Sequence, residues 1–114
     1  LGPDVIVEEG AVIRDSIFME NVVVKKNAVI DRCIIDRNTI VGEGAVLGEG
    51  ENVPNEDKPN IYNTGITVAG ENTVIPAGIK IGKNCVLYGD TKEEDYADGK
   101  LESGKSIVRE VGRR

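Results

Sequence analysis

The sequence predicts an all-β solenoid: a single-stranded parallel β-helix made of six-residue steps, with one extra loop and a tail outside the repeat. Three observations lead there. Val7 to Val23, VEEGAVIRDSIFMENVV, is matched seventeen residues later by Val24 to Ile40, VKKNAVIDRCIIDRNTI, and again from Val41 by VGEGAVLGEGENV. A short fixed period marks stacked, self-similar coils. Next, a Gly or Asn stands three places after most step starts, at Gly10, Asn21, Asn27, Asn38, Gly44, Gly50, Asn72, Gly78 and Asn84. These residues tolerate positive φ, so each marks a corner. Lastly, aromatic residues make up 4% of the chain and Trp is absent, which suits a narrow prism filled by Val, Ile and Ala. A helix would need apolar spacing of three and four with few β-branched residues, and the steps are too even for a sandwich of hairpins.

The first region covers residues 5–50. Steps start at Val7, Ile13, Phe18, Val24, Ile30, Ile35, Val41 and Leu47. After each corner comes a small residue, such as Ala11, Val22, Ala28, Thr39 or Ala45, and two places later an aliphatic one. Side chains alternate along a strand, so this pair points inward. The steps from Ile13 and Ile30 are one residue short, which shrinks the coil to seventeen and is expected to put Ser16 and Cys33 at the corners. Residues 51–62, ENVPNEDKPNIY, break the repeat with Pro54, Pro59 and a run of charges. They read as a solvated loop leaving one corner, with Ile61 and Tyr62 packing back. The coil resumes over 63–87, with steps at Ala69, Ile75, Ile81 and Leu87. The main unit is therefore 1–87. Residues 88–114 form a tail, with an acidic loop at Thr91 to Asp98, a short strand near 106–111 and a basic end at Arg113 and Arg114. The sequence starts at Leu1, not Met, and the first coil, from Val5 and Val7, lacks the polar cap that solenoid ends require. The chain is accordingly expected to be a fragment whose open end at Val5 promotes self-association.

Charge and composition exclude several functions. The net charge of -6 argues against nucleic acid, which needs a basic face. No apolar stretch reaches membrane-spanning length, and no stretch reads as a signal peptide, so a protein outside the membrane is expected. Cys33 and Cys85 fall at corner and inward positions and read as reduced core residues rather than a disulfide. There is no histidine. The general base common to acyltransferases of this repeat is therefore missing, as are the three zinc ligands of carbonic anhydrases built this way.

Gly99 to Ser106, GKLESGKS, matches the phosphate-loop pattern G-x-x-x-x-G-K-[ST]. That chemistry needs an apolar strand before the loop and a helix N-terminus after it. Here EEDYAD precedes and the β-branched SIVREV follows, so a Gly-containing turn is expected instead. Glu8, Glu9, Asp15, Asp31, Asp36, Glu43 and Glu49 occupy outward positions and read as a solvated face, as do Lys25, Lys26, Arg32, Arg37, Lys80 and Lys83. Arg109, Arg113 and Arg114 cluster in the tail, where a phosphorylated ligand could bind.

Asp15-Ser16-Ile17, Cys33 to Gly42 (CIIDRNTIVG), Asn63 to Val68 (NTGITV) and Val74 to Gly82 (VIPAGIKIG) resemble the C-terminal β-helix of bacterial glucose-1-phosphate adenylyltransferases. Nucleotidyltransferases for mannose-1-phosphate share the architecture. The resemblance implies a left-handed coil. It also implies a cytoplasmic parent enzyme that makes ADP-glucose and pyrophosphate from ATP and glucose-1-phosphate, with Mg²⁺, for glycogen synthesis. The catalytic half would lie N-terminal to this chain, so no catalytic residue, cofactor or metal is carried over. The β-helix would pack on that catalytic domain, contribute to a homotetramer and help form allosteric sites for sugar phosphates or adenine nucleotides. Arg109 and Arg113 are the candidate effector contacts. Two other readings stand beside it: a structural solenoid for self-association, and a hexapeptide acyltransferase whose base comes from another chain.

Overall fold

A computed structural model describes residues 3–58, 60–61, 63–96 and 98–109. The chain winds as a parallel β-helix. Coil one holds β1 (Ile6–Val7), β2 (Val12–Arg14) and β3 (Ile17–Phe18). Coil two holds β4 (Val23–Val24), β5 (Val29–Asp31) and β6 (Cys33–Ile35). Coil three holds β7 (Ile40–Val41), β8 (Val46–Leu47) and β9 (Thr67–Ala69). Coil four holds β10 (Val74–Ile75), β11 (Lys80–Ile81) and β12 (Val86–Tyr88). A fifth coil follows with a 3₁₀ turn (Glu93–Asp95), β13 (Lys100–Leu101) and β14 (Ser106–Val108). Like strands stack in parallel into three faces: face A is β1-β4-β7-β10, face B is β2-β5-β8-β11-β13, and face C is β3-β6-β9-β12-β14.

The corners lie where Gly and Asn placed them. Asn21, Asn27, Asn38, Asn72 and Asn84 all have φ between 56 and 60°, and Gly10, Gly44, Gly50 and Gly78 are also positive. The residues after them fill the axis: Val22, Ala28, Thr39, Ala45, Thr73 and Cys85 are buried, as are the step starts from Phe18 to Leu87. Gly48 shows how close the coils stack, since a Cβ there would strike the Asp31 carbonyl oxygen.

Four features differ from the sequence reading. In the two short steps Asp15 (φ 46°) and Arg32 (φ 53°) take the left-handed corner, not Ser16 and Cys33. Cys33 moves into the buried inward position, and its N–H donates to Ser16 Oγ at 3.0 Å in the coil below. Losing one residue removes a polar position before the corner, so the corner falls on a charged residue.

The second difference lies beyond Leu87. β13 and β14 extend faces B and C, pairing Ile81 with Leu101 and Leu87 with Ile107. Residues outside the regular spelling thus still add a coil, and the short strand expected near 106–111 is Ser106–Val108 within the described residues. Thr91 and Tyr96 are buried over the fifth coil, with the Tyr96 hydroxyl donating to Thr91 Oγ1 at 2.8 Å.

Thirdly, the 51–62 excursion, which leaves between β8 and β9, is fastened to the prism rather than solvated throughout. Asn55 is fully buried. Its Nδ2 donates to the Asn84 carbonyl at 2.8 Å and to Ser106 Oγ at 3.0 Å. Finally, Ile61 does not pack back, being 63% exposed, and Tyr62 lies outside the described residues.

Candidate functional site

Three places could carry function: the end of β14, a groove on face B, and the outward columns with the first coil. At the end of β14, Arg109 does not stand free. Its Nη2 lies 2.9 Å from Asp95 Oδ1, its Nε donates to the same oxygen at 3.1 Å, and Nη1 donates to the Val108 carbonyl at 3.2 Å. The other Asp95 oxygen accepts the Lys92 backbone N–H at 2.8 Å. That N–H first, and Arg109 second, hold the Asp95 carboxyl below the usual range. Arg113 and Arg114 lie outside the described residues. The sequence missed the Arg109–Asp95 contact because fourteen residues separate the partners and Asp95 lies outside the regular spacing.

The groove encloses about 490 Å³ along face B. Val46, Lys80 and Lys100 form its floor column, each in register with the next. Glu51 and Val53 of the excursion line it too, and Glu49, Glu102 and Ser103 are its other polar side chains. Two lysines face three glutamates, so the lining is net acidic and disfavours a phosphate. The sequence offers Lys100 only as part of the phosphate-loop match, in a stretch that reads as a tail rather than a coil.

The phosphate-loop match folds as β13, a turn at Ser103–Gly104 and β14, with no helix after the lysine. Ser106 Oγ, the hydroxyl of the pattern, accepts from Asn55 Nδ2 at 3.0 Å, and Lys105 Nζ pairs with Glu56 at 2.8 Å. Both groups that would meet a phosphate are thus engaged. Gly104 has φ 84° and is the corner three places after Leu101, so the motif is itself a hexapeptide step.

Among the described residues no three His, Cys, Asp or Glu side chains group to hold a metal. Both cysteines are free and buried. Burial pushes the Cys33 thiol up to about 12, which leaves it unreactive near neutral pH. No helix among the described residues is long and apolar enough to cross a membrane.

The surface is less polar than the composition implies. The outward column of face A is Ile6, Val23, Ile40 and Val74, and that of face C begins Ile17, Ile34, Val68, Val86. At the first coil the axis itself is open: inward-facing Val7 is 41% exposed and outward Ile6 is 55% exposed.

Comparison with known proteins agrees with this geometry. The chain is 45% identical over 109 residues to a glucose-1-phosphate adenylyltransferase of Acetivibrio thermocellus, covering 96% of this chain and 26% of that protein. It is 45% identical over 95 residues to the enzyme of that name from Thermomicrobium roseum, covering 82% of this chain and 22% of the relative. A third such enzyme, from Ruminiclostridium cellulolyticum, is 50% identical over 61 residues, which are 54% of this chain and 14% of the relative. The chain thus spans about a quarter or less of the length of these relatives. Among solved structures, a GDP-perosamine N-acetyltransferase of Caulobacter crescentus aligns over 96% of this chain and 47% of its own. Its TM-score of 0.35 and identity of 15% are too low to carry weight. A family profile described as GlmU-like, C-terminal hexapeptide, matches residues 1–69. With its steps, corners and stacked faces in place, the chain belongs to that GlmU-like C-terminal hexapeptide family.

Proposed function

We propose that this chain is the regulatory and assembly domain of a sugar nucleotidyltransferase that makes ADP-glucose from ATP and glucose-1-phosphate for glycogen synthesis in the cytoplasm. The observation that carries the reading is the alignment of 96% of the chain, at 45% identity, with a glucose-1-phosphate adenylyltransferase. Catalysis, Mg²⁺ and ATP then belong to the part of the enzyme outside this chain. Outward-facing Ile6, Val12 and Ile17 of the first coil are exposed and support an assembly role, since exposed apolar surface marks contact sites. The contacts would be with the catalytic domain and with other subunits of a homotetramer.

Arg109 and Arg113 are proposed to meet a sugar-phosphate effector. Such a ligand would displace Asp95 from Arg109, exchanging one carboxylate for a more highly charged anion. The existing pair equally favours a second reading, in which the domain assembles the enzyme and binds no effector. The test is pyrophosphate release by the full-length protein from glucose-1-phosphate with each nucleoside triphosphate. Activity with ATP that is lost or deregulated on deleting this segment supports the proposal. Activity only with another sugar phosphate moves the enzyme to a different pathway. Absence of nucleotidyl transfer leaves a structural solenoid.

A further inference from the structure

The fifth coil is filled unevenly: Tyr96 and Ile107 are buried, but Gly99 and Lys105 stand in register with the buried Ile79 and Cys85, and Lys105 turns outward to Glu56. Leu101 is only partly buried. Such a coil needs another fastening, and the excursion supplies one.

Asn84 keeps the left-handed corner, at φ 58°, yet unlike Asn21, Asn27 and Asn38 it is fully buried. Its Nδ2 donates to Asn52 Oδ1 at 2.7 Å and to the Val53 carbonyl at 2.8 Å, while its Oδ1 accepts the Gly65 N–H at 2.8 Å. Both ends of the excursion are thereby tied to one side chain. Asn55 makes the second tie, joining the Asn84 carbonyl to Ser106 Oγ and folding the strap through the N–H groups of Asp57 and Lys58 on its Oδ1. The Glu56 N–H then donates to the Gly104 carbonyl at 2.9 Å. At Gly104 a Cβ would come within 2.7 Å of the Pro54 carbonyl oxygen, so the strap lies directly on the corner. Below this corner Cys85 Sγ donates to the Glu102 carbonyl at 3.3 Å. A fully satisfied buried polar network fixes one arrangement and loosens as a unit when one member is lost.

We propose that residues 52–58 form a releasable strap, clasped by Asn55 and Asn84, which holds the fifth-coil corner 102–106 down and opens together with it while the earlier coils stay closed. Opening would also remove part of the lining of the face B groove, because Val53 belongs to it. This inference is independent of the proposed enzymatic role.

The test uses the full-length protein that carries this chain, treated with iodoacetamide in the native state and mapped by mass spectrometry. Cys85 reports the corner and Cys33, buried in coil two, reports the prism. In Asn55→Ala, Cys85 alkylation and endoproteinase Glu-C cleavage after Glu56 should both rise about tenfold with Cys33 unchanged. Ser106→Ala, which removes a single acceptor, should move both readouts the same way by less. If Asn55→Ala does not fold, Ser106→Ala decides alone. Equal rises at Cys33 and Cys85, or no response at Cys85 and Glu56, would overturn the strap.

Discussion

The two ends of the prism are built on opposite principles. At the first coil the axis is open among the described residues: Val7 faces inward yet is 41% exposed, and β1, β2 and β3 each present an unpaired edge. At the last coil the axis is closed by Tyr96, 4% exposed, with Thr91, Ile107 and the strap around it. Among the described residues the same repeat thus leaves its first coil open to water and covers its fifth. A repeat sets the cross-section of a solenoid, while its ends are made by residues outside the repeat.

The largest test of this contrast is Tyr96→Ala. Removing a buried aromatic and the hydrogen bond it donates to Thr91 should cost about 3–5 kcal/mol in chemical denaturation. Val7→Ala at the open end should cost about 1 kcal/mol or less, since its side chain is already half in water. Similar losses at both sites would erase the distinction.

Raised pH attacks the closed end from another side. Burial pushes the Tyr96 hydroxyl up to about 12, from an ordinary value near 10. Its folded pKa lies above its unfolded one, so its contribution is complete below about pH 10 and is lost as pH rises towards 12. Cys33 acts in the same sense from about 9 to 12. Tyr96→Phe should remove the tyrosine part of the decline, as read by denaturation midpoints across pH 9–12. An unchanged profile would mean that Tyr96 ionises freely in the fold.

The smallest effect is expected at Arg109→Ala. Asp95 is held chiefly by the Lys92 N–H and the ion pair is solvent-screened, so the denaturation midpoint should scarcely move. Its informative readout is effector response in the full-length enzyme: loss there with stability intact would separate an effector contact from a structural pair.

Most of the prism could be read from residue types, because each corner demands positive φ and each inward slot demands a size. Asn27, Ala28 and Ile30 satisfy those demands in order, and the same reading holds from Phe18 to Leu87. The fifth coil was hidden by Lys105, which sits in a small-residue slot, although Leu101, Gly104 and Ile107 keep the spacing. The clasp was hidden for a different reason. An asparagine is chosen at a corner for its backbone, and nothing local in Asn84 reveals that its amide also holds Asn52, Val53 and Gly65. Likewise Asp15 and Arg32 could not be told from Ser16 and Cys33, because a shortened step leaves two candidates for one corner. At the candidate site, the types of Arg109 and its neighbours were legible, but not the Asp95 that neutralises it.

The edges of β1, β2 and β3 have a consequence for what can lie against the first coil. A strand edge offers N–H and C=O groups, and Val7 offers apolar surface beside them. Backbone laid along those edges in register would continue the three faces, and its inward residues would cover Val7. Strand edges recur on β13 and β14, so pairing alone does not tell the two ends of the described prism apart. What tells them apart is the apolar surface left at Val7 and the cover that Tyr96 supplies.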